Sequence, residues 1–94
     1  MRTESSIQRA VVTYAKAHGC LAKKLSTQGF MGNVGWPDYM FLNQGKILFI
    51  EFKRPGGVPT ALQESVIDSL RAQMFVARVI DDVEQGKKLI DSIL

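Results

Sequence analysis

Two hydrophobic rhythms alternate along the chain. Within residues 4–17, Ile7, Val11 and Tyr14 recur at helical spacing, with Thr3 placed to cap the start and Gly19 to stop the end. Leu21 to Ser26 reads as a short strand with Lys23 and Lys24 near its end, and Gln28 to Trp36, with glycines at 29, 32 and 35, reads as a loop. The apolar, aromatic and β-branched runs Tyr39–Leu42 and Ile47–Phe52 then flank the polar stretch Asn43-Gln44-Gly45-Lys46, which is the pattern of a β-hairpin. Both of its faces are apolar: Tyr39, Phe41, Leu48 and Ile50 on one, Met40, Leu42, Ile47 and Phe49 on the other. Such a sheet needs cover on both sides, so the class is α/β. After the loop Arg54–Pro59, Thr60 caps a second helix to about Ala72, with Leu62, Val66 and Leu70 on its inner face. Met74 to Ile80 reads as a buried strand. Asp81 or Asp82 caps a last helix carrying Val83, Leu89, Ile90 and Ile93.

Chemistry enters through the hairpin register. With Gln44-Gly45 as a two-residue loop, Asn43 faces Lys46, Leu42 faces Ile47, Met40 faces Phe49, and Asp38 faces Glu51. Directly opposed residues have Cβ atoms about 4.5–5.5 Å apart. Two carboxylates at that separation repel unless one is protonated or a cation lies between them. Alternation puts Lys53 on the same face as Glu51 and turns Phe52 away. Charged residues at strand ends are common, but here Pro37-Asp38 lies at matching register on the other arm, so the three charges converge.

Composition narrows the alternatives. Ninety-four residues, 46% hydrophobic and 22% charged, describe one domain of ordinary globular composition spanning 1–94. The single cysteine, Cys20, excludes an internal disulfide and a cysteine-type zinc site, so a reducing cytoplasm is the expected compartment. There is no apolar secretion segment at the start, and the run Ile47–Ile50 is too short to cross a bilayer. A net charge of +3 fits a polyanionic partner without requiring one.

Gly35-x-Pro37-Asp38, then Glu51-x-Lys53, then a helix with Gln63 early in it, resembles the PD-(D/E)xK nuclease superfamily and within it the VRR-NUC family of virus-type replication and repair nucleases. The resemblance runs from Glu4 to about Ile80. It implies a restriction-endonuclease-like αβββαβ core, here with a C-terminal helix, built as a mixed sheet flanked by helices. It also implies a metal-dependent, structure-specific DNA endonuclease, of the kind that resolves Holliday junctions or other branched DNA in a bacterial or phage-infected cell. Asp38 and Glu51 would be the carboxylate ligands of Mg²⁺, with Mn²⁺ able to substitute, and the resemblance adds the main-chain carbonyl of Phe52. Lys53 would orient the attacking water or stabilise phosphate oxygens; spacing does not separate those roles. Glu4 shares a helical face with Ile7, Val11 and Tyr14 and so points toward the interior edge. As a helix N-terminal acid it would only complement the dipole; the resemblance assigns it, like Gln63, to the active site.

Other residues carry less. Lys23, Lys24 and Arg54 form a candidate phosphate-contacting rim, whereas Lys87 and Lys88 read as a solvated helix face. Trp36 and Phe30 could stack on exposed bases or cap the core. His18 reads as a helix-end group bonding the last carbonyls, and Cys20 as a small buried side chain. Two alternatives stay open: a non-cleaving DNA-binding or assembly module on the same fold, and an RNA endonuclease. A symmetric homodimer is the expected working form, since one chain offers one site. Phe30-Met31 and Leu89, Ile90, Ile93 and Leu94 are apolar residues a partner could cover.

Overall fold

In a computed structural model, residues 2–25 and 34–94 are described; Ser26, the segment Gln28–Asn33 and with it Phe30-Met31 lie outside them. Helix α1 spans Glu4–Ala17. Its N-cap is Thr3, whose hydroxyl accepts from the Ser6 N–H while Ser6 Oγ accepts in return from the Thr3 N–H, so two of the first turn's orphan donors are satisfied. Strand β1 (Leu21–Lys24) precedes the hairpin of β2 (Tyr39–Asn43) and β3 (Lys46–Phe52) in the chain. Helix α2 (Ala61–Ala72), strand β4 (Val76–Ile80) and helix α3 (Val83–Asp91), capped by Asp82, complete the order αβββαβα.

The strands form one sheet in the order β1-β2-β3-β4, with β1–β2 and β2–β3 antiparallel and β3–β4 parallel. The hairpin register is the one the sequence predicts, Asn43 opposite Lys46 through Met40 opposite Phe49. Gln44 and Gly45 both take positive φ, 48° and 81°, which matches the twist of a two-residue hairpin. One sheet face carries Phe41, Leu48, Ile50, Phe52 and Ile80 and packs on Ile7, Val11 and Ala15 of α1 and Ile90 of α3. The other carries Phe49 and Ala77 under Ile67 and Leu70 of α2. The hairpin is therefore covered on both sides, as its two apolar faces require.

Several details differ from the sequence pattern. Strand β4 begins at Val76 because Met74, at φ 70°, ends α2: the Phe75 N–H returns to the Leu70 carbonyl and the Met74 N–H to that of Arg71. Leu62 is not on the inner face of α2 but exposed; Ile67 and Leu70 hold that face, because the apolar stripe drifts by one position along the helix. Ile90 and Ile93 are buried and Leu89 half-buried against the core, so of that group only Leu94 offers apolar surface. Lys87 is half-buried rather than solvated, its ammonium 5.3 Å from the centre of the Tyr14 ring.

Candidate active site

Parallel pairing with β4 carries β3 to a C-terminal end that opens beside the start of β2, and α2 begins directly over it. Glu51 sits there with 1% of its surface exposed. Its Oε2 is 3.2 Å from Lys53 Nζ and accepts from Gln63 Nε2 at 2.8 Å. Gln63 is aimed by the helix start: it is the third residue of α2, its Oε1 accepts from the Thr60 N–H at 2.9 Å, and its own N–H donates to Thr60 Oγ1. That capping box fixes the amide so that only its NH₂ can face Glu51. The sequence showed Thr60 as a cap but not that the cap's partner reaches the site.

Asp38 is held from the other arm. Its Oδ2 accepts from the Phe52 N–H at 2.8 Å, while its own carbonyl accepts from Leu25 N–H. Lys53 N–H points the opposite way, to the Ile80 carbonyl of β4. Because the N–H and C=O of one strand residue point to the same side, the Phe52 carbonyl shares the side of the Asp38 carboxylate. Two carboxylates and one carbonyl therefore meet at one strand end.

The electrostatics are unbalanced. Burial, then the charge of Asp38, push the Glu51 pKa up to about 7; Lys53 opposes this, and Glu4 adds the smallest push. Glu51 Oε1 is buried with no hydrogen-bond partner among the described residues. Asp38 uses one oxygen on Phe52, and the other has no partner among them. A buried, orphaned carboxylate oxygen beside a second carboxylate is a place where a hard cation fits, since cations of that kind bind through oxygen. Among the described residues no three His, Cys, Asp or Glu side chains cluster, so the donor set is two carboxylates and the main chain.

The remaining candidates divide. Glu4 is exposed at the first turn of α1, felt by Glu51 through its charge but not turned into the core, because a first-turn residue lies past the end of the packed stripe. Lys23 pairs with Met40, which pairs with Phe49, so it shares the α2 face of the sheet with Glu51 but sits two strands away and two residues short of its level. Lys24 pairs with Tyr39 and lies on the opposite face, as consecutive strand residues must. Arg54 is exposed in the turn closed by Gly57 N–H to the Arg54 carbonyl. That turn is tied down by Asp81, whose Oδ2 accepts from the Gly56 N–H at 2.9 Å. In sequence Asp81 has only the pattern of a helix cap; its contact with Gly56 follows once β3 and β4 are known to run parallel. His18 Nδ1 lies 2.8 Å from the Tyr14 carbonyl, and Cys20 is buried, both as expected of helix-end and core residues.

A mixed four-stranded sheet with α1 and α3 on one face, α2 on the other and acidic groups at the end of the central hairpin is restriction-endonuclease-like architecture. A solved structure described as a "VRR_NUC domain" matches with a TM-score of 0.79 and 28% identity, over 97% of this chain and 97% of that one. This match supports assigning the chain to the VRR-NUC family. No family model and no curated protein matches the sequence.

Proposed function

We propose that the chain is a metal-dependent endonuclease that hydrolyses phosphodiester bonds in branched DNA. The likeness to a VRR_NUC domain supports a nuclease-type function. The observation that carries the metal-dependent reading is the buried Glu51 carboxylate, with one oxygen orphaned and Asp38 opposite it. Asp38, Glu51 and the Phe52 carbonyl would hold Mg²⁺, or Mn²⁺ in its place. The ion supplies charge neutralisation at the phosphate and an acidified water. Lys53 Nζ lies 3.2 Å from Glu51 Oε2, beside the metal site, where it would donate to the phosphate oxygens or orient the attacking water. Gln63 holds Glu51 Oε2, so that Oε1 is the oxygen left for the ion. Glu4 contributes field, and Lys23 and Arg54 lie on the substrate side as phosphate contacts.

The working form in this reading is a homodimer, because a branched junction presents two scissile phosphates and the chain has one site. Cleavage of linear duplex, flap, fork and four-way junction, each as DNA and as RNA, with Mg²⁺, Mn²⁺ or chelator, tests the proposal. Metal-dependent cleavage is expected, fastest on branched DNA. Cleavage unaffected by chelator contradicts the metal assignment, and faster cutting of RNA contradicts the substrate.

A further inference from the structure

Beside the acidic site stands a short apolar ledge that the chemistry above does not use. Trp36 is 38% exposed, Val34 63% and Leu62 51%. They are joined through Gly35. A methyl group built on Gly35 would sit 2.6 Å from Leu62 Cγ, so the Leu62 side chain lies directly against that backbone. Gly35 also holds φ +84°, a conformation that turns the chain sharply before Pro37 and Asp38. The indole of Trp36 is braced edge-on by Phe49, ring centres 6.2 Å apart at 62°. Leu62 precedes Gln63, which bonds Glu51, and Trp36 lies two residues before Asp38. The ledge thus adjoins both arms of the site.

Single exposed apolar side chains need no explanation, but Leu62 seated on the backbone between Val34 and Trp36, close to the buried Glu51, does. A fully paired duplex has little to offer such a surface: its exterior is phosphate and groove edge, and the faces of its bases are stacked away. An aromatic braced at its edge and a branched aliphatic next to it suit the open face of one base. We propose that Val34, Trp36 and Leu62 receive an unstacked nucleobase, so that the site favours nucleic acid with an unpaired nucleotide next to the scissile phosphate. The inference rests on the nuclease reading of the acidic site. Lys53 and Arg54 hold the phosphate end of the same nucleotide, charge against charge, while the ledge holds its base. Stacking of a base on an aromatic side chain contributes about 1–3 kcal/mol, roughly 5- to 150-fold in a rate or affinity that depends on it.

Single-turnover cleavage with Mg²⁺ of two DNA duplexes, one fully paired and one with a single unpaired nucleotide at the cut, measures the effect. The wild type is expected to cut the unpaired substrate about tenfold or more faster. Trp36→Ala and Leu62→Ala should each remove most of that advantage and leave the paired rate within about twofold, and Trp36→Phe should keep it. Leu62 is exposed, so its variant carries the test even where loss of the Phe49 contact weakens the fold of Trp36→Ala. Equal wild-type rates on the two substrates, or equal losses on both in the variants, overturn the inference and leave the nuclease reading standing. No cleavage of any substrate overturns both. Sedimentation of the same variants separates the other occupant: if the loss follows dissociation of a dimer, the ledge binds a second copy and the inference fails.

Discussion

Burying Glu51 costs free energy that its two hydrogen-bonded partners only partly offset, and this makes the residue a reporter on the site. Its pKa of about 7 in the fold stands against 4.5 in an ordinary setting. Between those values the folded chain binds more protons than the unfolded one, so stability is full below about pH 4.5 and falls as pH rises through 7. Each pH unit in that window is worth about 1.4 kcal/mol, and the whole of it roughly 3 kcal/mol at most. Thermal unfolding in chelator should show wild type losing stability from pH 5 to pH 8 relative to Glu51→Gln. Parallel curves would mean that the carboxylate is not held as described. The approach of Asp38 to Glu51 was legible in the sequence because the two-residue loop fixes the register. The contact of Gln63 with Glu51 has no signal of its own in the sequence, where only the family resemblance singles Gln63 out; it follows once the cap that aims the amide is seen.

At the scale of elements, periodicity found every helix and strand among the described residues, and what it missed there lies at their ends. Two helices end in the same turn, α1 with Gly19 at φ +89° and α2 with Met74 at φ +70°. In both, the following N–H reaches back five residues, Cys20 to the Ala15 carbonyl and Phe75 to that of Leu70. Glycine announces the first in the sequence; methionine gives no sign of the second, so the apolar pattern alone starts β4 two residues before Val76. Met74 is 90% exposed, so it pays the left-handed strain with little packing in return. Met74→Gly should raise stability by about 1 kcal/mol in denaturant unfolding, with cleavage unchanged. A loss of stability would show that Met74 packs on something. Leu62 was misplaced for a related reason: a helical stripe identifies a face, but the first turn of α2 overhangs the sheet, so its apolar residue meets Gly35 and solvent rather than the core.

At the scale of the molecule, the sheet brings together residues from β2, β3 and α2 at one end, while α1 and α3 fasten the opposite face. Apolar surface for a second copy does not come from the C-terminal Ile90 and Ile93, which are buried; away from the ledge, exposed apolar residues among those described include Leu21, Val58, Phe75, Val76 and Leu94. Sedimentation at micromolar concentration is expected to give a dimer mass, and a monomer that still cuts a four-way junction on both strands would contradict that expectation. The central claim is narrower: Asp38, Glu51 and Lys53 form one metal-dependent cleaving site. It is tested most directly by the Mg²⁺-dependent cleavage rate of purified Asp38→Ala and Lys53→Ala beside wild type, with thermal unfolding of each to show that the fold is kept. The account predicts a loss of at least about 100-fold in both, with Asp38→Ala still folded: relief of the repulsion with Glu51 is set against a Phe52 N–H left without its acceptor. Cleavage by folded Asp38→Ala at the wild-type rate would contradict it.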